Sequence, residues 1–129
     1  MVYAMENSNS KLTVSEEDYL EAALMLTLKG ERIKVTSVAE MLGVSKPAVT
    51  NAIDNLAEKG LMTKQPYGDI FLTDDGRDFA ERVYGKHRLL RDFLQKLGVS
   101  AEIAEIDCCK IEHVLSDETV TCIRKFMQK

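Results

Sequence analysis

The sequence contains no uninterrupted apolar run near the roughly 20 residues that a membrane-spanning helix requires. Its first eleven residues are polar and lack the apolar stretch and small-residue cleavage site of a secretory signal. These absences argue against an integral membrane protein and against a secreted one. We therefore predict a cytoplasmic protein with no membrane partner.

Basic residues are not in excess, since 17 lysines and arginines oppose 21 aspartates and glutamates, a net charge of -4. Proteins that bind nucleic acid without sequence preference are usually basic, because neutralising phosphates supplies most of that affinity. Residues 34–64 carry four lysines against three carboxylates, which makes this segment less acidic than the rest but hardly a basic patch. Any DNA binding must therefore be local and conditional, with affinity supplied by a dimer, by geometry or by both.

Cysteine is scarce, and the three present are Cys108, Cys109 and Cys122. An odd number with two adjacent members suits reduced thiols better than a disulfide framework. We interpret Cys108 and Cys122 as core or incidental thiols. Cys109 is a candidate metal ligand because it stands at helical spacing from Glu112 and His113. The 129 residues suffice for one compact domain, or for a small DNA-binding module fused to a helical dimerisation unit, but not for a large catalytic domain.

Three helices are predicted in the first half of the chain. Apolar residues at helical spacing predict the first, for which Ser15 and Asp18 resemble the two halves of a capping box. A short second helix begins at Thr36 and is broken by Gly43, and Ser45 caps a third. This order of helix, tight turn and helix is typical of a helix-turn-helix.

A small β-hairpin is predicted directly after the third helix. Two extended runs, 61–65 and 70–72, flank the turn-forming residues 66–69. A helix-turn-helix-like pattern can also be an ordinary packing motif, but the hairpin that follows it favours the winged form. The first half therefore predicts a winged helix-turn-helix.

The second half is predicted to be entirely helical. A long helix runs from Thr73 or Asp74 to Leu97. Two more, capped by Ser100 and Ser116, are expected over 101–115 and from 117 towards the end. We predict a mainly α protein with two domains joined by the long helix. Residues 1–75 form a winged helix-turn-helix DNA-binding domain, and residues 76–129 form an all-helical metal-binding and dimerisation domain.

The predicted third helix leaves one polar face for double-stranded DNA. Hydroxyl, amide and ammonium groups near its N-terminus can reach base edges or phosphates, and the helix dipole favours the same anions. Two residues of the hairpin can reach the flanking backbone. The candidate DNA-binding residues are Ser45, Lys46, Pro47, Thr50, Asn51, Lys64 and Tyr67.

Side chains that can bind metal recur at helical spacings. Each has an ordinary explanation as a capping, solvated or core residue, and only the joint pattern favours a metal site. Such a mixture of donors suits Mn²⁺ or Fe²⁺, and a thiolate shifts preference towards Fe²⁺, Co²⁺ and Zn²⁺, so spacing alone does not choose. The candidate ligands are Asp18 and Glu21 on the first helix, His87 on the long helix, and Cys109, Glu112 and His113 on the next.

Three blocks of sequence, 17–21 (EDYLE), 86–90 (KHRLL) and 109–116 (CKIEHVLS), resemble the DtxR/MntR family of metal-dependent repressors. The resemblance implies that all six candidates bind metal, in a set like that of the manganese-responsive branch except at Cys109, where that branch has glutamate. Cysteine there is the pattern of the iron-responsive branch, which has methionine where Asp18 stands. The metal-selecting positions therefore combine features of the manganese-responsive and the iron-responsive branches.

The same resemblance implies the short two-domain form of the family and a homodimer that binds an inverted-repeat operator when loaded with Fe²⁺ or Mn²⁺. Co²⁺ and Zn²⁺ are expected surrogates. The ancillary site of the iron-responsive branch is not predicted, because it needs a glutamate at Arg91 and a histidine at Glu105. One alternative is a MarR-like winged-helix regulator that senses an organic ligand or thiol oxidation. A metalloenzyme is less favoured, because no substrate pocket, nucleophile or phosphate loop is evident.

Overall fold

The computed structural model describes residues 12–129, which fall into two compact units, Leu12–Arg82 and Val83–Lys129. No helix in this described part has the length and apolarity needed to cross a membrane. The expectation that no secretory signal is present concerns residues 1–11, outside the described part. In chain order the elements are α1 (Val14–Leu28), α2 (Val35–Leu42), α3 (Lys46–Glu58), β1 (Met62–Lys64), β2 (Ile70–Leu72), α4 (Asp74–Lys96), α5 (Ala101–Ile111) and α6 (Asp117–Met127).

This order confirms the predicted fold class, a mainly helical chain with a winged helix-turn-helix followed by helices alone. In the first unit, α1, α2 and α3 enclose a core whose largest side chains are fully buried. Helix α2 ends as predicted at Gly43, whose φ of +67° is a left-handed conformation that glycine adopts without a steric penalty. The turn continues into Ser45, whose Oγ accepts a hydrogen bond from the backbone of Ala48 at 3.2 Å and so caps α3. The core side chains are Leu20, Leu24, Val38, Val49 and Leu56.

The predicted cap of α1 is wrong by two residues. Thr13, not Ser15, is the capping residue, since its Oγ1 accepts from the Glu16 backbone at 3.1 Å. Glu16 Oε1 accepts in return from the Thr13 backbone N–H at 3.0 Å, which completes a capping box. Asp18 therefore lies inside the helix, beyond the cap.

An ion pair holds the start of α1 against the end of α3. Lys59 Nζ lies 2.9 Å from Glu16 Oε1 and 2.8 Å from Oε2. Burial acts to raise the pKa of Glu16, but the hydrogen bond and charge of Lys59 and the Thr13 backbone N–H outweigh it and lower the pKa. Glu16 is thus a carboxylate in the folded protein.

We expect Glu16→Gln to cost about 1 kcal/mol of unfolding free energy at pH 7, as a partly exposed ion pair contributes. Because the folded-state pKa lies below the ordinary value of 4.5, this stabilisation is present above pH 4.5 and is lost as the pH falls through the folded-state pKa. Urea unfolding of wild type and variant at pH 7 and pH 3 measures the effect. The exposed Glu40→Gln serves as control, and a loss of equal size at both pH values would contradict the prediction.

The wing is the predicted hairpin, with a first strand shorter than expected. Strands β1 and β2 pair antiparallel with Met62 opposite Leu72. A third segment joins this sheet, because Ile33 forms an isolated antiparallel bridge with Ile70, and Arg32 forms an ion pair with Asp69. Since a lone two-stranded hairpin is marginally stable in water, this attachment stabilises the wing.

The start of α4 is packed closely against the segment that precedes the wing. Thr73 caps the helix, because its Oγ1 accepts from the Gly76 backbone at 3.0 Å and donates to the Gly60 carbonyl at 2.7 Å. A Cβ atom placed on Gly76 would lie 1.8 Å from the Leu61 carbonyl oxygen. Glycine is therefore required at this position by the close approach of two backbones.

In the second unit, the later part of α4 contacts α5 through His87 and Glu105, and contacts α6 through the rings of Phe93 and Phe126, whose centroids lie 6.1 Å apart. The side chains of Leu90, Ala104 and Val120 are buried. Helix α5 is shorter than the predicted 101–115 and ends at Ile111. The chain turns there, where the Val114 N–H donates to the Ile111 carbonyl at 3.1 Å in the tighter pattern of a final turn.

Candidate functional site

The centre of the second unit is a buried carboxylate placed between two imidazole rings. Glu112, the C-cap residue of α5, is 1% exposed. Its Oε2 lies 3.0 Å from His87 Nδ1 and its Oε1 lies 3.3 Å from His113 Nε2. A buried carboxylate requires such partners, because burying an unpaired charge is costly. The structure thus brings together three of the predicted ligands.

His87 is contacted by a second carboxylate that the sequence analysis missed. Its Nε2 lies 2.8 Å from Glu105 Oε2, so each ring nitrogen faces a glutamate. In the sequence, Glu105 is notable only as the position at which the ancillary site of the iron-responsive branch needs a histidine. The available signal was helical spacing, since Glu105, Cys109 and Glu112 follow one another at i, i+4 and i+7 and share one side of a helix.

The two adjacent thiols differ in environment, and both face His87. Cys109 is exposed and its Sγ lies 3.9 Å from His87 Nδ1. Cys108 is fully buried, as expected of a core thiol, yet its Sγ lies 3.6 Å from His87 Nε2 and 3.7 Å from Nδ1. Burial raises the pKa of the Cys108 thiol far above its usual range, and its hydrogen bond to Glu105 raises it further. The exposed Cys122 lies on α6.

These groups match the chemistry of a divalent transition-metal site. Ligand atoms of His87, Cys108 and Cys109 all lie within 4.8 Å of one another. Imidazole, carboxylate and thiolate are the ligands that divalent first-row metals take in proteins. The preference of these ions for sulfur increases from Mn²⁺ through Fe²⁺ and Co²⁺ to Zn²⁺. The donor set therefore fits a metal ion.

The remaining two predicted ligands lie on α1 in the first unit. Asp18 and Glu21 are one helical turn apart, with Glu21 buried and Asp18 partly exposed. Buried glutamates are uncommon unless they are paired or bound to metal. Their part in metal binding stays a prediction.

The predicted DNA face is an exposed side of α3. Its opposite side is buried through Val49, Ile53 and Leu56, which fixes the orientation of the helix. At the tip of the wing the side chain of Tyr67 is 95% exposed. Lys64 Nζ lies 3.6 Å from Asp54 Oδ1 in a surface pair that is weak enough to exchange for a phosphate. Of the other candidates, Ser45, Lys46, Pro47 and Asn51 are exposed and Thr50 is half-buried.

Two family models match this chain almost end to end. Residues 11–70 match the iron-dependent repressor N-terminal DNA-binding domain, and residues 73–129 match the iron-dependent repressor metal-binding and dimerisation domain. The first match covers α3 and the wing as far as Ile70, and the second covers the Glu112 cluster.

Individual relatives agree with the models. An uncharacterised HTH-type transcriptional regulator of Methanocaldococcus jannaschii is 36% identical over 120 residues, which are 92% of this chain and 96% of that protein. The transcriptional regulator MntR of Escherichia coli is 36% identical over 113 residues, or 88% of this chain and 73% of that protein. The solved structure of the manganese regulator SloR superposes with a TM-score of 0.79 at 32% identity over 91% of this chain. This chain spans 55% of the length of SloR.

Proposed function

Because this chain belongs to the DtxR/MntR family of metal-dependent transcriptional repressors, which act in manganese and iron homeostasis, we propose that its six predicted ligands bind Mn²⁺ or Fe²⁺ and that the loaded homodimer binds an inverted-repeat operator. The family consists of regulators rather than enzymes, which excludes the metalloenzyme alternative. The domain boundary near residue 75 and the cytoplasm as the site of action remain part of the proposal. The six ligands are Asp18, Glu21, His87, Cys109, Glu112 and His113.

The observation that carries the proposal is the buried Glu112 carboxylate between His87 and His113. A bound divalent cation supplies positive charge that offsets clustered carboxylates. Each ring contacts the same carboxylate, so the three side chains orient one another. This preorganisation reduces the entropy cost of binding.

The response of DNA binding to metal is proposed to involve α1. This helix carries Asp18 and Glu21, and the Glu16–Lys59 ion pair joins it to the end of α3, the proposed recognition helix. Holding the two carboxylates in place therefore also restricts the movement of α3. Linkage then requires operator DNA to tighten metal binding by the same factor by which metal tightens DNA binding. The corresponding coupling free energy is about 1 to 3 kcal/mol.

Anaerobic titration of Mn²⁺, Fe²⁺, Co²⁺ and Zn²⁺ into the metal-free protein tests the proposal, with fluorescence anisotropy on a duplex selected from random sequence in the presence of Mn²⁺. We expect an operator affinity that rises about 5- to 150-fold with metal. Equal affinity with and without every metal would contradict the proposal and favour the MarR-like alternative.

Asn51→Ala tests the proposed recognition face. We expect an affinity for the operator at saturating metal that falls about 5- to 150-fold, as loss of a base-edge contact of 1 to 3 kcal/mol implies. Gln128→Ala, which removes an exposed amide beyond α6, is the control and should bind as wild type does. An Asn51→Ala protein with unchanged affinity would exclude this residue from the interface.

A further inference from the structure

Cys108 lies among the proposed ligands although the family resemblance implies no role for it. We propose that Cys108 is a second thiolate ligand, so that His87, Cys108 and Cys109 form a sulfur-rich site for a thiophilic divalent cation of the Zn²⁺, Co²⁺ or Cd²⁺ class. This inference rests on the proposed function, because it concerns the same metal site, and it changes which ions that site favours.

The distances between the three side chains are those of ligands that share one ion. With metal–nitrogen bonds of about 2.0–2.1 Å and metal–sulfur bonds of about 2.3 Å, tetrahedral geometry separates a nitrogen and a sulfur ligand by about 3.6 Å. Cys108 Sγ is 3.6 Å from His87 Nε2 and 3.7 Å from Nδ1. Cys109 Sγ is 3.9 Å from Nδ1. The distances fit a shared ion once the imidazole ring turns so that Nδ1 faces both sulfur atoms, since each ring nitrogen faces a glutamate in this structure.

A carboxylate can complete the coordination on the Nδ1 side of the ring. Glu112 Oε2 lies 3.0 Å from His87 Nδ1, the nitrogen that both sulfur atoms also approach. The resulting set would contain two sulfur atoms, one nitrogen and one oxygen. Four donors of this kind match the tetrahedral preference of Zn²⁺, whereas Mn²⁺ favours oxygen donors and a higher coordination number.

Neighbouring helical residues point about 100° apart, so adjacent cysteines seldom reach one partner. Here the His87 ring, 7% exposed, lies against the end of α5 where both thiols can approach it, Cys108 from the buried side and Cys109 from the exposed side. The rival explanation is a packed core thiol that only donates to Glu105, whose carbonyl oxygen lies 3.3 Å from Cys108 Sγ. The two explanations predict different spectra.

Co²⁺ is the probe that separates them, because thiolate-to-cobalt charge-transfer absorption in the near ultraviolet grows with the number of sulfur ligands. Full-length metal-free protein is titrated anaerobically with Co²⁺. We expect Cys108→Ala and Cys109→Ala each to lose about half of the wild-type intensity, and Cys122→Ala to retain all of it. In competition with a chromophoric chelator, Zn²⁺ affinity should fall at least 10-fold in Cys108→Ala, with a much smaller change for Mn²⁺.

Cys108→Ser keeps the size of the buried side chain and guards against a folding defect in the alanine variant. It should also show about half of the band, with the far-ultraviolet circular dichroism of wild type. A full band in either Cys108 variant, together with its loss in Cys109→Ala, would overturn this proposal and leave the proposed function intact. A two-thiolate band in a protein whose operator affinity ignores every metal would instead uphold this proposal and refute the proposed function.

Discussion

Replacing Glu112 by alanine is expected to abolish the metal-dependent gain in operator affinity, a loss of about 5- to 150-fold at saturating metal. The physical reason is the position of the carboxylate. It is 1% exposed and is the common partner of His87 and His113. Its removal takes away one charged ligand and leaves both rings without the group that orients them, which weakens metal ligation further.

The measurement is fluorescence anisotropy with Mn²⁺ or Fe²⁺ and without added metal, on the same operator duplex. Glu102→Ala is the matched control, since Glu102 is an exposed glutamate in the first turn of the same helix. Glu112→Gln keeps the shape of the side chain and should fold as wild type does while losing most of the response. A Glu112→Ala protein that folds and retains the whole metal response would remove this residue from the site.

Gly76→Ala is expected to destabilise the protein by about 3 kcal/mol, the upper range for overpacking at a rigid site. The added Cβ would lie 1.8 Å from the carbonyl oxygen of Leu61, which is backbone and cannot rotate away. Helix propensity acts in the opposite direction, because alanine is favoured over glycine in a helix by about 1 kcal/mol. The net loss thus measures the cost of separating α4 from the segment before β1.

Gly85 provides a matched control in the same 23-residue helix. A Cβ on Gly85 meets nothing within 4 Å, so Gly85→Ala should stabilise the protein by about 0.5–1 kcal/mol. Urea unfolding of the two variants and the wild type gives both values in one experiment. If both substitutions stabilise, the close contact at Leu61 is less rigid than described.

Features that depend on neighbouring residues could be predicted from the sequence. Ser45, Ser100 and Ser116 each accept a hydrogen bond from a backbone N–H three residues later, as their positions before helical patterns indicated. The left-handed turn at Gly43 follows in the same way. These elements are specified by local chemistry, so the winged helix-turn-helix can be predicted from the sequence alone.

Features that depend on contacts between distant residues could not be predicted from the sequence. Two overlapping patterns, Thr13–Glu16 and Ser15–Asp18, are both credible caps for α1. The observed one also places Glu16 beside Lys59, 43 positions away, and this contact is invisible to local reasoning.

The same limit applies at the candidate metal site. Glu105 and Cys108 reach His87 across separations of 18 and 21 residues. Only the packing of α5 against α4 decides which side of α5 faces the ring. Sequence spacing could therefore propose Cys109 as a ligand but could not show that Cys108 lies equally close.

The wing is attached to the segment before α2 at the loop end of its ladder, so only the loop itself is open to change in length. The Ile33–Ile70 bridge and the Arg32–Asp69 ion pair fix the register at the Lys64–Ile70 pair, directly beside the loop. Residues inserted between Gln65 and Asp69 would extend the loop without shifting that register, at an entropy cost that grows slowly with loop length. The length of the wing loop can therefore change during evolution without moving α3, the proposed recognition helix.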